Sequence, residues 1–448
     1  MAKKNAPSEN KSQQSGIHLI IRALRHRNYR LFFVGQSISL IGTWMQQIAM
    51  SWMVYRLTSS ELMLGLVSFA GNVPVIIFAP IAGILADRWN RHRMLVIIQS
   101  LSLIQALILA VLVLTNTIVM WEIIVLGVCL GLLNAFDMPI RQAYVVEMIE
   151  NREDLGNAIA LNSSMFNMAR LIGPAVAGVL IAAVGEGYCF LINGLSYIAV
   201  ILALVAMKVA PALARPKPAP LWQGLADGFR YSFGFPPIRS ILLLLILVSI
   251  IGMPYMVLMP VIAKTILHGD SHTMGNLVSC SGVGALAGAI YLASRKSVRG
   301  LGLVIPSMAV VFGGGLVALS LSRDIRLSML FMVITGFGMI VQMAASNTVL
   351  QTIVDEDKRG RVMGLYTMSI RGVAPFGSLL GGALASVIGT PQTLLVSGLI
   401  CIAGGLFFAR HLNAWRRHVR PIYVRKGIIP EVSQGLQSAT EVTKPGGD

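Results

Sequence analysis

Charge is what this chain has least of. Only 12% of its 448 residues are Asp, Glu, Lys or Arg, about half the share of a soluble globular protein. Acids are the scarcest, 19 against 36 Lys and Arg, and aromatics make up 7%. Its four cysteines, Cys129, Cys189, Cys280 and Cys401, stand far apart inside apolar runs. That placement makes them small apolar fillers rather than a disulfide framework or a metal set. No lysine follows a G-x-x-x-x-G pattern, which excludes an internal nucleotide loop and with it an ATP-driven pump in one chain. No G-x-S-x-G elbow and no H-E-x-x-H helix occurs in the apolar segments, so nothing indicates an enzyme. There is also no long hydrophilic domain of the kind a sensor would carry.

What fills the chain is hydrocarbon. Apolar residues reach 55% and arrive in repeated blocks, each about 20 residues long, the length that crosses a ~30 Å hydrocarbon core at 1.5 Å per residue. Alternating ten-residue strands are absent, which excludes a β-barrel. The fold class is an all-α polytopic membrane protein, with about twelve spans between Leu31 and Ala409.

The net charge of +17 raises the question of nucleic acid. Its placement answers that. The segments alternating to one side, both termini included, hold thirty Lys and Arg, whereas the opposite loops hold only Arg56, Lys264, Arg323 and Arg326. This bias puts both termini in the cytoplasm and leaves no surplus for a nucleic-acid surface. The first sixteen residues are polar, without the apolar core of a cleavable signal peptide. After them Ile17, Ile20, Ile21 and Leu24 share one helical face, as in an amphipathic segment lying on the membrane. "HGDSH" (His268–His272) sets two histidines four apart around Gly269 and Asp270, a loop signature rather than a metal site.

The longest hydrophilic interruption falls in the middle. It contains the proline-rich "APALARPKPAP" and then a stripe of Leu221, Leu225, Phe229 and Phe233 that predicts a short surface helix. The organisation read from this is a basic amphipathic segment (1–30), a six-helix half (31–207), a central linker (208–239), a second six-helix half (240–409) and a basic tail without fixed structure (410–448). The halves echo each other: "IENREDLGNAIAL" precedes span five and "IVDEDKRGRVMGL" precedes span eleven. Each of those spans then carries an arginine four residues before a proline, Arg170 with Pro174 and Arg371 with Pro375.

"GILADRWNRHR" resembles the signature loop of the major facilitator superfamily. Gly83, Asp87, Arg88, Arg91 and Arg93 fit the pattern; Asn90 replaces the usual turn glycine and His92 one basic residue. Asn is the mildest substitute where a left-handed backbone is required. "GPAVAG", with Gly173, Pro174 and Gly178, resembles the superfamily's span-five antiporter motif, or is small-residue packing of a general kind. "NAFDMPIRQAYVVEM" with "NREDLGNAIALN" resembles the drug- and siderophore-exporter branch that includes the enterobactin exporter. The resemblance covers the chain from about Arg25 to Arg410. It implies a major facilitator fold with a midplane site between pseudo-symmetric halves, a bacterial inner-membrane location, a small-molecule substrate, proton coupling and a monomer. It also implies a conformational latch in which Asp87 meets span eleven. One departure bears on coupling: span four carries Asn134 and Asp137 where many drug antiporters carry an arginine.

The candidate pathway residues are Arg170, Arg371, Asp137, Asn134, Gln46 and Asn167. An arginine at the bilayer centre costs at least about 2.5–3.5 kcal/mol, so each must face the bundle interior or a cavity. Three roles fit them: attraction of an anionic or carbonyl-rich substrate, holding a coupling carboxylate, or hydrogen bonds to carbonyls freed by Pro174 and Pro375. Asp137 can serve either a coupling role or a pair with Arg141, and Gln46 and Asn167 are either ligands or helix–helix glue. The function expected is proton-driven efflux of small amphiphilic, drug- or siderophore-like molecules by alternating access. Import of a small anionic metabolite is the alternative. No cofactor and no metal is called for, and the partners are substrate, protons and the lipid bilayer.

Overall fold

The structure, a computed structural model, describes residues 22–149, 151–207, 221–295 and 297–429, and of residues 79, 80, 83–88, 152 and 221–227 the backbone alone. Twelve long helices make the bundle: α1 (Arg27–Thr58), α2 (Glu61–Arg88), α3 (Arg91–Leu114), α4 (Met120–Glu147), α5 (Leu155–Val184) and α6 (Glu186–Val205), then α7 (Pro236–Met256), α8 (Ser271–Ala293), α9 (Leu301–Leu321), α10 (Ile325–Ile353), α11 (Arg359–Ile388) and α12 (Thr390–Arg410). Among the described residues, eleven are long and apolar enough to cross a membrane. The other is α1, ample at 32 residues, whose hydropathy is diluted by Gln36, Ser37, Ser39, Thr43, Gln46 and Gln47. It packs along α5 and α6, so part of its polar surface meets protein instead of lipid.

The packing repeats. In the first half α1 lies on α5 and α6, α2 on α4, and α3 on α6; in the second, α7 lies on α11 and α12, α8 on α10, and α9 on α12. The halves join through α5 with α8 and α2 with α11. Small residues make those joints. A Cβ on Gly178 would stand 2.8 Å from the Ser271 carbonyl oxygen and 3.1 Å from Gly275 Cα. One on Gly65 would stand 2.6 Å from the Ser378 carbonyl oxygen and 3.2 Å from Gly382 Cα. Only glycine permits so near an approach of two backbones. Following the chain, both joints fall at the end of the bundle away from the termini. There Tyr55 Oη also meets Thr265 Oγ1 at 2.7 Å. At the other end the first turns of α11, Arg359–Thr367, pack on α10, on α7 and on the linker helix.

Proline shapes α7 and α11. Pro254 lacks an N–H and crowds the carbonyl four residues back, and the α-helix gives way to a π turn over Val248–Gly252 and a 3-10 turn over Met253–Met256. Pro375 acts on Arg371 in the same way, with a π turn over Met368–Gly372. Such wide turns turn up often at functional sites.

Three surface pieces frame the end that carries the termini. The predicted linker helix forms over Leu221–Gly234, with Phe229 and Phe233 stacked at 4.3 Å. The tail, expected to lack fixed structure, is helical over Leu412–Arg425. Its buried Leu412, Trp415, Val419 and Tyr423 recur at intervals of three and four, so one apolar stripe can pack on the bundle. Before α1, Arg22 and His26 pair with Asp154 ahead of α5, the histidine at 2.9 Å. The amphipathic stripe at Ile17, Ile20 and Ile21 lies outside the described residues, as do the proline-rich linker and the chain beyond Ile429.

Candidate functional site

Asp137 is the candidate carboxylate of span four, and it is buried on α4. Its Oδ1 accepts from Gln99 Nε2 at 2.8 Å, and its Oδ2 lies 3.3 Å from Arg141 Nε, one turn further along. Of the two roles open to Asp137, the structure displays the Arg141 pair.

Arg371 sits in the π turn of α11 and crosses to the first half, where its Nη1 meets Met138 Sδ at 2.7 Å. Arg141 and Tyr366 are the charged or ionisable groups near it. Tyr366 is held by its hydroxyl, which donates to the Met343 carbonyl at 3.1 Å. No carboxylate pairs with Arg371 among the described residues.

Arg170 is buried, 7% exposed, and its Nε has no hydrogen-bond acceptor among the described residues. It stands at the α5–α8 joint: a Cβ on Gly282 would lie 3.4 Å from its carbonyl oxygen. Ser279 Oγ donates to the next carbonyl, Leu171, at 2.9 Å. Tyr255 of α7 is the ionisable group beside it, with its hydroxyl 3.2 Å from Ser281 Oγ. Three helices, α5, α7 and α8, therefore surround a guanidinium that no acid neutralises among the described residues.

The two arginines are not structural counterparts. Gly173 packs on α1 and Gly377 on α7; Gly178 and Gly382 make the two inter-half joints; Gly185 and Gly389 end α5 and α11 at φ 91° and 86°. Each pair is 204 residues apart, while the arginines are 201 apart. In this register Arg371 corresponds to Asn167 and Arg170 to Ala374. Arg371 thus lies about one helical turn nearer the termini than Arg170. The matching Arg-x-x-x-Pro spelling, expected to mark the same relative place, does not do so: against the shared glycines it stands three residues earlier in α11 than in α5.

Gln46 is glue. It accepts from Asn193 Nδ2 at 2.6 Å and reaches Gln105 Oε1 at 3.5 Å, tying α1 to α6 and α3. Asn167 donates back to Ser163 at 2.9 Å and is half-buried, and Asn134 is exposed on α4. Gly173 brings α5 against Trp44 of α1, and Pro174 lies inside α5 without breaking it.

Within the loop motif the Gly83, Asp87 and Arg88 side chains lie outside the described residues. Arg91 Nη1 pairs with Glu147 at 2.9 Å, clasping the start of α3 to the end of α4. Asn90 is not left-handed as expected. It is extended, φ −69°, and its Oδ1 caps α3 by accepting from Arg93 N at 3.1 Å. Asn suits this position for its cap, the role it plays at helix starts generally. His92 reaches the Leu204 carbonyl at 2.8 Å.

Sequence reasoning passed over Tyr255, Ser281 and Met138. A signal for the first existed: "GMPYMVLMP" interrupts span seven with two prolines, and proline-broken spans point to transporter sites. Met138 had none, since the chain holds 23 methionines.

The sequence model of the transmembrane secretion effector family, within the major facilitator superfamily, matches residues 21–420. The chain belongs to that family. It is 28% identical over 386 residues to the staphyloferrin A transporter of Staphylococcus aureus, covering 85% of this chain and 95% of that one. It is 25% identical over 406 residues to the enterobactin exporter EntS of Citrobacter koseri, covering 90% and 96%. In fold it is similar to the crystal structure of a bacterial homologue of the human lysosomal transporter Spinster, with a TM-score of 0.65 at 14% identity, over 88% of this chain and 98% of that one. This secretion-family chain is a membrane transporter, not an enzyme.

Proposed function

We propose that the protein is a secondary active exporter that moves small amphiphilic molecules bearing an anionic group, in exchange for protons, by alternating access. The observation that carries the substrate reading is the absence of an acid beside Arg170 and Arg371 among the described residues. Arg170 is buried and Arg371, itself exposed, lies within a span; cations at such positions call for a neutralising partner, and Asp137 is already engaged by Arg141 and Gln99. An anionic substrate supplies the missing charge. It would meet Arg371 first, coming from the end that carries the termini, and Arg170 about one turn deeper. That end is the cytoplasmic one in our reading of the loop charges, and the inner membrane is the location.

The glycine joints at the opposite end fit a bundle closed to the outside and accessible from the cytoplasm. Releasing them would open the outer side while the Asp87 motif closes the inner. Asp137 is the proposed coupling group, because protonation would dissolve its pair with Arg141 and change the charge beside Arg371. Relatives named for siderophore transport and export support the class of cargo.

The test is accumulation of a panel of dyes and siderophores in cells with and without the protein, before and after the proton gradient is collapsed. Export requires lower accumulation of acidic amphiphiles with the protein, lost on collapse. Accumulation raised by the protein would instead show import of small anions.

A further inference from the structure

Beside the C-terminal helix a groove of about 440 Å³ opens between the near-terminal ends of α7 and α12. Its wall is hydrocarbon: Leu243, Leu247 and Phe407, with Phe407 68% and Leu243 50% exposed. Its rim is basic, formed by Arg239, His411 and His418. Arg239 is exposed and has no ion-pair or hydrogen-bond partner among the described residues. Each histidine donates from Nδ1 to the carbonyl four residues back, His411 to Phe407 at 2.9 Å and His418 to Ala414 at 2.8 Å. A carbonyl only accepts, so Nδ1 carries the proton and Nε2 of the neutral ring is left as an acceptor. The floor is fixed. Trp415 Nε1 donates to the Pro237 carbonyl at 3.3 Å, and its ring fills the space where a side chain on Gly302 would go. The outer face of the same helix carries Arg416, Arg417 and Arg420, all exposed.

We propose that this groove holds one anionic phospholipid of the cytoplasmic leaflet, its phosphate against Arg239 and an acyl chain along Leu243, Leu247 and Phe407. The charge complementarity is local. One free arginine and a neighbouring arginine face meet where an apolar cleft opens at the surface of the bundle. Basic residues at the cytoplasmic surface each contribute about 1 kcal/mol toward anionic lipid. The occupant also has a structural consequence: the lipid would brace α7, whose π and 3-10 turns bring Tyr255 to Arg170, against α12 and the C-terminal helix. This site is separate from the substrate pathway and does not depend on which cargo is carried.

The experiment is native mass spectrometry of the full chain in detergent, titrated with dioleoylphosphatidylglycerol or dioleoylphosphatidylcholine. The proposal requires retention of the anionic lipid at least about fivefold over the zwitterionic one. That preference must be lost in Arg239→Glu and in Leu247→Trp, and kept in Arg326→Gln at the far end of the bundle. Thermal melting of each variant shows that it remains folded. Equal retention of both lipids, or an unchanged preference in Arg239→Glu, overturns it. Competition by soluble glycerol 3-phosphate alone would assign the rim to free phosphate and also overturn it. So would a preference that arises only after deletion of residues 430–448, since the tail would then be the occupant, or a dimer whose formation abolishes lipid retention.

Discussion

Arg141 Nε lies 3.3 Å from Asp137 Oδ2 on α4, and that pair decides what is left for the deeper arginines. A chain with few acids has placed this carboxylate beside a neighbour one turn away on its own helix. Arg170 on α5 and Arg371 on α11 then stand without an acid among the described residues. With membership in a secretion family, the charge imbalance supports the proposed anionic cargo.

Asp137→Asn should uncouple transport from the proton gradient. The amide still accepts from Gln99 but no longer holds Arg141 by charge. Efflux driven by an imposed pH gradient should fall to the level seen without one, while counterflow of labelled against unlabelled substrate persists. A mutant still driven by the gradient would remove Asp137 from the coupling step.

Gly178→Ala should impair transport, and Gly156→Ala on the same helix should not. A Cβ at Gly178 collides with Ser271 and Gly275 across the joint, whereas nothing lies within 4 Å at Gly156. Overpacking of this kind costs about 1–3 kcal/mol, enough to bias the bundle away from the closed joint. The check is the transport rate of both variants per molecule inserted; equal rates would show that the joint tolerates a methyl group.

Asp87→Asn should slow transport with normal insertion, because the motif is proposed to latch one conformation. Its loss shifts a balance of states rather than the fold. Accessibility of an engineered cysteine at the cytoplasmic mouth, compared with wild type, reads that shift directly.

Asp270→Ala should lower thermal stability by about 1 kcal/mol, the usual worth of such a cap. Asp270 accepts from Thr273 N at 3.0 Å at the start of α8, and the backbone N–H groups hold its carboxyl below the ordinary range. A depressed carboxylate stabilises above its unfolded-state value, and the effect fades as pH falls through the folded one. The difference between the variant and wild type should therefore be full at neutral pH and shrink in acid. A pH-independent difference in melting would contradict the assignment.

Much of this was legible in the sequence because hydrocarbon length, helical period and small-residue spacing are one-dimensional signals. The twelve helices, the linker helix and the small-residue joint at Gly178 could all be read in that way. The partners could not. Whether Asp137 answers Arg141 or Arg371 depends on which rotamer reaches across a helix face. Matching letters also misled: Arg-x-x-x-Pro repeats at 201 residues, but the glycine contacts repeat at 204, and only the contacts show which of the two spacings the packing follows. The apolar stripe of the C-terminal helix was overlooked behind its arginines, since Trp415 and Tyr423 are only two aromatics among many charges.

The central claim is that Arg170 and Arg371 recognise an anion, and the sharpest test compares two forms of one substrate. Efflux of an acidic amphiphile and of its neutral amide should be measured for wild type, Arg170→Ala and Arg371→Ala, normalised to protein in the membrane. A hydrogen bond to a charged group contributes about 1.5–3 kcal/mol, so each alanine variant should lose between about ten- and a hundredfold on the acid and far less on the amide. Lysine at either position should restore only part of the loss, because it lacks the planar two-pronged contact. Equal losses on both substrates, or none on either, in stably inserted variants would contradict the account and leave the two arginines as structural members of the bundle.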